Sequence, residues 1–276
     1  MKKFVSVVVF FSWVLTACNT TNITEEPGLQ AYFDSSQVQG SFAMFDNGQG
    51  QFTVYNLARY RDSAYTPAST FKIVNSLIGL ASGRVFSDTV VLPWDGIVRR
   101  SPAGDTMHAW NKDMNMQEAF AVSNVGFYQE LARRIGRDTM QKMLDSLAYG
   151  NKKIGARIDS FWLDNSLKIT ADEQLGLVKK LYFRQLPLQN REQEIVKELM
   201  VRERTDKYTL AYKTGWGRTE KGNQLGWVVG WIEENMHPYF FVLNVETPNA
   251  DIDMVNVRMR ILKGILNQYG FFKGLK

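Results

Sequence analysis

Apolar residues alternate like strands at both ends of the chain and follow helical spacing in the middle. Residues 40–45 and 51–55 are strand-like runs joined by Asp46-Asn-Gly-Gln-Gly50, a composition typical of a hairpin. Further strands are predicted at 208–214, 225–232 and 239–245. Their connections are too short for parallel crossovers, which predicts antiparallel neighbours.

Helical spacing dominates between these two groups of strands. We predict helices over 69–81, 116–135, 139–147, 171–182 and 190–202, and a C-terminal helix within 251–268. Strands from both chain ends with helices between them indicate an α+β fold, in which helices flank an antiparallel sheet and an all-helical half is added. The sheet half is expected at about 31–66 and 205–276, and the helical half at about 67–204.

The first residues carry a targeting pattern. A basic start precedes an apolar run over 4–15, too short to cross a bilayer as a helix, which leads through small residues into Cys18. This resembles a bacterial lipoprotein signal over 1–17, after which Cys18 would be acylated and 18–30 would form a flexible tether. Because Asn19 is not Asp, the expected place is the periplasm of a Gram-negative bacterium, at the outer membrane rather than the inner. An ordinary secretory signal with a coincidental cysteine is the alternative.

Composition narrows the possible chemistry. The 276 residues include two histidines and one cysteine, so a disulfide, a structural zinc site or a His-rich metal site is not expected. A Ser-His-Asp hydrolase would need His108 or His237 as its base, and neither has a recognisable catalytic partner. Acid–base work therefore falls to Lys, Asp, Glu or Tyr. The net charge is +5 and the arginine pairs are scattered, which disfavours nucleic-acid binding.

Ser69 and Lys72 form the first candidate for chemistry. If Ser69 opens a helix, the two side chains lie three residues apart on one face. A serine hydroxyl becomes a good nucleophile when a base takes its proton, and lysine can be that base when burial or a chemical change removes its charge. A Ser-x-x-Lys pair is expected by chance about once in a chain of this size. A helix cap beside an exposed lysine is therefore an equally good interpretation of this pair alone.

Lys213-Thr214-Gly215 is the second candidate, at the end of the strand predicted over 208–214. The lysine supplies positive charge and the threonine a hydroxyl. The glycine allows a substrate to approach the strand edge closely. A surface turn is the alternative when the tripeptide is taken alone.

Five motifs occur in a specific order between residue 30 and the end of the chain. They are Pro67-Ala-Ser-Thr-Phe-Lys72, Ser123-Asn-Val125, Tyr149-Gly-Asn151, Phe161-Trp-Leu163 and Lys213-Thr-Gly215. The first and last match two signatures of penicillin-recognising serine enzymes, whereas the S-D-N signature of that superfamily is replaced by Ser-x-Val. Together the motifs resemble a class D, or oxacillinase-type, serine β-lactamase.

The resemblance implies a lysine base made with carbon dioxide. Ser69 would attack the β-lactam carbonyl, and Lys72 would be N-carboxylated and act as the general base in acylation and deacylation. Trp162 and Val125 would stabilise this carbamate, although a plain core tryptophan is the alternative for Trp162. No dissociable cofactor is expected, only carbon dioxide or bicarbonate to modify Lys72.

The resemblance also implies the groups that handle the substrate, a small β-lactam. Ser123 and Lys213 would pass a proton to the departing ring nitrogen. The expected contacts with the rest of the substrate come from Thr214, Gly215, Trp216, Arg258, Met107, Trp110 and Leu163. A charge on a helix face is the alternative for Arg258, and core packing is the alternative for Met107 and Trp110.

Three other functions compete with β-lactam hydrolysis. A penicillin-sensing receptor domain would share the fold and motifs but remain acylated. A D-alanyl-D-alanine peptidase would use the same nucleophile on a different substrate. A lipoprotein with no activity would require all five motifs to be accidental.

Overall fold

Sheet strands from both ends of the chain lie side by side. The computed structural model describes residues 22–100 and 106–276. In chain order the strands are β1 (Ile23–Glu25), β2 (Gln39–Asp46), β3 (Gln51–Tyr55), β4 (Ala64–Tyr65), β5 (Ile169–Thr170), β6 (Val201–Arg204), β7 (Thr209–Arg218), β8 (Gln224–Glu234) and β9 (His237–Thr247). The large sheet has the order β1-β3-β2-β9-β8-β7-β6, and β4 pairs with β5 in a small second sheet.

The pairing of β2 with β9 joins the two chain ends. Neighbouring strands of the large sheet are antiparallel except β1 and β3, which are parallel. Gln39 of β2 lies opposite Glu246 of β9, and Asp46 lies opposite Tyr239. The predicted hairpin is confirmed, because Asp46 also pairs with Gln51 across the β2–β3 turn. The predicted α+β arrangement is therefore confirmed.

Helices cover both faces of the sheet. In chain order they are α1 (Gln30–Asp34), α2 (Leu57–Asp62), α3 (Lys72–Ala81), α4 (Met116–Ala121), α5 (Val125–Ile135), α6 (Arg137–Ser146), α7 (Ala171–Tyr182), α8 (Asn190–Met200) and α9 (Met254–Gln268). Short 3₁₀ turns lie at Pro27–Leu29, Ala68–Phe71 and His108–Trp110. Strand β8 shows how the sheet separates two cores: Trp227 and Val229 belong to the core on the helical side, whereas Val228 belongs to the core under α9.

The N-terminal tether predicted over 18–30 is wrong for its described part. Ile23–Glu25 pairs with β3, and Leu29 is fully buried. A three-residue edge strand has too few alternating positions to stand out in a polar segment, so its pairing is not visible in the sequence. The signal predicted over 1–17 and the acylation site at Cys18 lie outside the described residues. None of the helices within the described ranges has the length and apolar character needed to cross a bilayer.

The single helix predicted over 116–135 is also wrong. The structure divides it into α4 and α5, with Ser123 between them in the left-handed region at φ +57°. Asn124 begins the second helix, since its side-chain oxygen accepts a hydrogen bond from the Phe127 N–H at 2.9 Å. Continuous apolar periodicity conceals this break, which places Ser123 on a turn instead of a helix face. The helix predicted over 190–202 ends earlier, at Met200, because the next residues join the sheet as β6.

Candidate active site

The predicted nucleophile, Ser69, stands in the 3₁₀ turn that leads into α3. Lys72 is the first residue of α3, and its Nζ lies 2.6 Å from Ser69 Oγ. Ser69 is partly exposed, whereas Lys72 is fully buried. Burial lowers the pKa of Lys72 from its ordinary 10.5 to about 7. A buried amine that is readily neutral, in contact with a serine hydroxyl, is suited to accept the hydroxyl proton.

Aromatic rings form the wall next to this pair. Phe71 stacks on Trp162 with ring centroids 5.3 Å apart and meets Phe161 nearly edge-on at 5.1 Å. Trp162 is fully buried, and within the described residues its indole N–H has no hydrogen-bond acceptor. A buried donor left without an acceptor costs about 1–3 kcal/mol. An anionic group added to this wall could therefore accept a hydrogen bond from the indole N–H.

The main chain of Trp162 is tied to the turn that carries Ser69. Its carbonyl oxygen accepts hydrogen bonds from the Ala68 N–H at 3.0 Å and from the Thr66 hydroxyl at 2.8 Å. The carbonyl of Thr66 in turn accepts from the indole of Trp227 at 3.0 Å. These bonds fix the nucleophile turn against both the Trp162 segment and the sheet.

Ser123 and Lys213 form a second hydroxyl–amine pair. Lys213 Nζ donates to Ser123 Oγ at 3.0 Å and to the Thr214 carbonyl at 3.1 Å. Lys213 is buried, and this burial, followed by the positive charges of Lys72, Arg202 and Arg258, lowers its pKa well below 10.5. The pair can therefore exchange a proton at moderate pH more easily than an exposed lysine and a serine would.

The far half of β7 presents a strand edge to Ser69. Strand β6 pairs with β7 only from Thr209 to Ala211, so beyond that point the pairing of β7 among the described residues is with β8. A Cβ on Gly215 would lie 2.9 Å from the Pro67 carbonyl oxygen. The close approach of this edge to the nucleophile turn therefore requires glycine. Thr214 is half-buried there, and Trp216 is exposed.

Arg258 reaches the same strand edge from α9. It is buried, and its Nη1 donates to the Gly215 carbonyl. Its Nε has no hydrogen-bond partner among the described residues. Burial lowers its pKa to about 10, so the guanidinium stays charged at neutral pH. A buried guanidinium with a spare donor is suited to an anionic group of a substrate.

The remaining predicted contact residues flank these groups. Val125 begins α5, two residues after Ser123, and Leu163 packs against the edge of the core next to Trp162. Trp110 donates from its indole to the Val122 carbonyl at 3.0 Å, which places it beside the Ser123 turn. Met107 is half-buried and precedes the 3₁₀ turn of Trp110. Of the two histidines, His108 is exposed, and His237 lies against Asp46, with Nε2 2.9 Å from Oδ1.

The Tyr149-Gly-Asn151 motif supports the segment of Trp162. The Asn151 side chain accepts from the Lys168 N–H at 3.0 Å, and the Asn151 N–H donates to the Lys168 carbonyl at 2.9 Å. Gly150 has φ +52°, and a Cβ there would lie 2.1 Å from the same carbonyl oxygen. The neighbouring Leu167 N–H donates to the Phe161 carbonyl at 3.0 Å, so the motif holds the loop that follows Trp162. The order of the motif in the sequence does not reveal this role.

Arg202 of β6 is a site residue that no sequence pattern indicates. Its guanidinium donates to the carbonyls of Phe120 and Tyr212, at 3.4 and 3.3 Å. These residues stand beside the Ser123 turn and Lys213. Burial lowers the pKa of Arg202, and its charge contributes to the lowered pKa of Lys213. A basic residue in a short edge strand has no local signature, so its place was visible only from the fold.

The geometry is suited to serine acyl transfer. It combines a partly exposed hydroxyl with a buried amine, a second hydroxyl–amine pair, and buried cations along an open strand edge. Serine attack, proton delivery to a leaving group and binding of a substrate anion are the steps that such groups perform.

Known proteins share both the sequence and this architecture. The penicillin binding protein transpeptidase domain family matches residues 33–267. The chain is 38% identical over 244 residues to the β-lactamase OXA-48 of Klebsiella pneumoniae, with 88% of each chain covered. We therefore assign the chain to the penicillin-binding transpeptidase family and, within it, to the class D β-lactamases.

Solved structures agree with this family. The class D β-lactamase from Sebaldella termitidis has a TM-score of 0.83 and 32% identity, over 90% of this chain and 97% of that chain. The C-terminal domain of the Bacillus licheniformis BlaR penicillin receptor has a TM-score of 0.82 and 28% identity, over 92% of this chain and 98% of that chain. One architecture thus serves both a β-lactamase and a receptor.

Proposed function

We propose that the protein hydrolyses β-lactam antibiotics through an acyl-enzyme on Ser69. The observation that carries the proposal is the 2.6 Å contact between Ser69 Oγ and the amine of the fully buried Lys72. The class D β-lactamase relatives support this substrate class. Burial makes the amine a base near neutral pH, which an exposed lysine is not.

Carboxylation of Lys72 is the finer part of the proposal. The neutral amine adds to carbon dioxide, forming an N–C bond and releasing one proton, so that an anionic carbamate replaces a costly buried cation. Two observations support it: burial lowers the pKa of Lys72 to about 7, and the indole N–H of Trp162 is buried without an acceptor. A half-buried Val125 would help to keep water from the carbamate. Carbon dioxide or bicarbonate is then needed for activity, and no dissociable cofactor is.

Acylation follows from the arrangement around Ser69. Ser69 gives its proton to the modified Lys72 as Oγ bonds to the β-lactam carbonyl carbon. The backbone N–H groups of Ser69 and Trp216 would stabilise the oxyanion. When the ring C–N bond breaks, Ser123 supplies a proton to the nitrogen and is reprotonated by Lys213, 3.0 Å away. The substrate carboxylate would be bound by Lys213, Thr214 and Arg258.

Deacylation separates a hydrolase from a receptor. After the proton received from Ser69 has passed to solvent and Lys213 has been reprotonated from solvent, the Lys72 carbamate would take a proton from water as the water oxygen bonds to the ester carbonyl carbon. It would then return this proton to Ser69 Oγ as the bond between Oγ and the carbonyl carbon breaks. Val125 and the half-buried Leu163 would control access of that water. The BlaR domain has a similar architecture, so the receptor function is the second candidate.

Turnover and intact mass distinguish these functions. The purified domain from residue 22 onward is mixed with the chromogenic cephalosporin nitrocefin, with and without bicarbonate, and the protein mass is followed. Many turnovers per enzyme that increase with bicarbonate are expected. A single stable adduct on Ser69 would indicate a receptor. Slow acylation combined with cleavage of a D-alanyl-D-alanine peptide would indicate the peptidase. Absence of both an adduct and turnover of either substrate would contradict every one of these functions.

We also propose that the mature protein is a periplasmic lipoprotein anchored through Cys18, at the outer membrane. The supporting features are the lipoprotein-like signal over 1–17 and the Asn at position 19. Expression of the full chain in a Gram-negative bacterial host with labelled palmitate should give a labelled protein in the membrane fraction. Cys18→Ser should remove the label. An unlabelled, freely released wild-type protein would contradict the anchor.

A further inference from the structure

A guanidinium lies flat on the first turn of α5, beside the catalytic Ser-x-Val motif. Gly126 directly follows Val125 and is buried. A Cβ on Gly126 would lie 2.4 Å from Cζ of Arg99 and 2.6 and 2.7 Å from its two terminal nitrogens. Because the three distances are nearly equal, the plane of the guanidinium faces the glycine. The guanidinium of Arg99 therefore occupies the space that a side chain at position 126 would need. We call this space the seat of Arg99.

Arg99 is held rigidly in this seat. Its terminal nitrogens donate to both carboxylate oxygens of Asp95, at 2.9 and 2.7 Å. Its backbone N–H donates to the Asn111 side chain at 2.9 Å, and its carbonyl accepts from the same side chain at 3.1 Å. The carbonyl also accepts from the Met107 N–H at 3.0 Å. Arg99 thus contacts Asp95 and α5 through its side chain, and Met107 and Asn111 through its main chain.

The same segment has a second attachment to the Ser123 turn. The Trp110 indole donates to the Val122 carbonyl at 3.0 Å, and the Trp110 carbonyl accepts from the Asn124 side chain at 2.9 Å. Val122 and Asn124 are the immediate neighbours of Ser123. The wall that carries Met107 and Trp110 is therefore fixed to the catalytic turn at one end by Trp110 and at the other by Arg99.

We propose that Arg99, seated on Gly126, is a positioning residue that sets the substrate side-chain specificity of the enzyme. It does not touch the substrate. It sets how far the Met107–Trp110 wall stands from Ser123, and so how large an acyl side chain fits beside the β-lactam ring. This inference rests on the proposed function. An error of about 1 Å in such a wall is enough to change rates by up to a hundredfold.

A paired glycine experiment tests the seat. Gly126→Ala is compared with Gly176→Ala, which lies on α7 with no atom within 4 Å of an added Cβ. Alanine is the better helix former at both sites, so a loss at Gly126 alone reports displacement of Arg99. We expect Gly126→Ala to change the ratio of the acylation rate constants for oxacillin, with its bulky side chain, and benzylpenicillin about tenfold. Gly176→Ala should leave this ratio unchanged.

A double-mutant cycle makes the role of Arg99 specific. Once Arg99→Ala has emptied the seat, adding Gly126→Ala should change the oxacillin-to-benzylpenicillin ratio no further. Independent effects of the two substitutions would overturn the proposal. Equal losses for both drugs would also overturn it, because they would indicate a general structural role. Arg99→Gln, which keeps a planar polar group but weakens the Asp95 pair, provides the test if Gly126→Ala does not fold.

The readout keeps this proposal separate from the proposed function. Acylation rate constants come from intact mass after rapid quenching, and they are defined for a hydrolase and for a receptor that stays acylated. Absence of turnover would refute hydrolysis alone. A ratio that is insensitive to Arg99 and Gly126 would refute the positioning role alone.

Discussion

The ammonium group of Lys213 lies 3.0 Å from the hydroxyl of Ser123, although the two residues are 90 positions apart in the chain. Lys213 comes from the middle of β7, and Ser123 comes from the turn between α4 and α5. Arg202 joins the two elements by donating to a carbonyl of each. The pair is thus built by the contact of the sheet half with the helical half, and its charge is destabilised by burial and by neighbouring cations.

The lowered pKa of Lys213 predicts an early alkaline limit of activity. As pH rises through this pKa, Lys213 loses the charge that we propose binds the substrate carboxylate, so kcat/KM should fall well below pH 10.5. Lys213→Arg should move the limit to higher pH, because guanidinium keeps its proton. The exposed Lys221 provides the control, and Lys221→Arg should leave the profile unchanged. An alkaline limit that is the same in wild type and Lys213→Arg would contradict this assignment.

Removal of the Ser123 hydroxyl should lower kcat/KM about a hundredfold or more, since it is the proposed path of the proton to the leaving nitrogen. Ser123→Ala leaves Lys213 in place, so the affinity for the substrate carboxylate should change much less. Steady-state kinetics with benzylpenicillin and competition by a non-hydrolysed carboxylate analogue separate the two effects. Equal losses in both would show that Ser123 acts on binding alone.

The pKa of Lys72 predicts a bicarbonate-sensitive acidic limit. Below about pH 7 the amine is protonated and does not add to carbon dioxide, so activity in carbon-dioxide-depleted buffer should fall as pH decreases through that value. Added bicarbonate should move the limit to lower pH by mass action. Lys72→Ala should lose turnover by about 10²-fold or more at every pH, with no response to bicarbonate. A rate that does not respond to bicarbonate in the wild type would contradict the carbamate.

Trp162→Phe should weaken carbamate retention while keeping an aromatic ring against Phe71. Loss of one hydrogen bond to an anion corresponds to about 1.5–3 kcal/mol, or about 10- to 150-fold in the bicarbonate concentration needed for half-maximal activity. High bicarbonate should restore most of the rate. Trp231→Phe is the matched control, because Trp231 is also buried but lies in β8, where it packs on Tyr182 of α7. Equal bicarbonate requirements in the two variants would contradict the role of the indole N–H.

The motifs point to candidate chemical groups, but they do not show how these groups meet. Ser69 and Lys72 are close because of local spacing, which is readable in the sequence. The approach of Lys213 to Ser123 depends on β7 packing beside the helical half. Gly215 permits the approach of β7 to the nucleophile turn, yet a glycine in Lys-Thr-Gly is equally compatible with an ordinary turn when it is considered alone. These two contacts therefore depend on long-range packing, which local sequence patterns do not specify.

Elements with strong apolar periodicity were predicted from the sequence. The prediction failed for elements whose presence depends on only a few residues. The helix predicted over 171–182 matches α7, which begins with a capping box between Thr170 and Glu173. The break at Ser123 was missed because the flanking apolar residues continue the same spacing. β1 was missed because a short parallel edge strand is stabilised by β3, some 30 residues away, and not by its own pattern.

Burial of Lys72 should make the unmodified protein less stable than a variant without this amine. In the unfolded chain its pKa is near 10.5, and in the folded chain it is about 7. Between these values the unfolded state binds more protons, so the free energy of unfolding rises with pH across this window, and the full cost is present below pH 7. A pKa lowered by one corresponds to about 1.4 kcal/mol, so in carbon-dioxide-free buffer at pH 6 Lys72→Met should be more stable than the wild type by about 3–5 kcal/mol. Urea unfolding at pH 6 and pH 9.5 measures the difference, which should shrink at the higher pH.

Lys142→Met, at an exposed site on α6, should show no such trend. Bicarbonate should stabilise the wild type and not Lys72→Met, because the carbamate forms only on the folded, buried amine. A wild type as stable as Lys72→Met at pH 6 would show that Lys72 is solvated, and the chemical case for its carboxylation would fail with it.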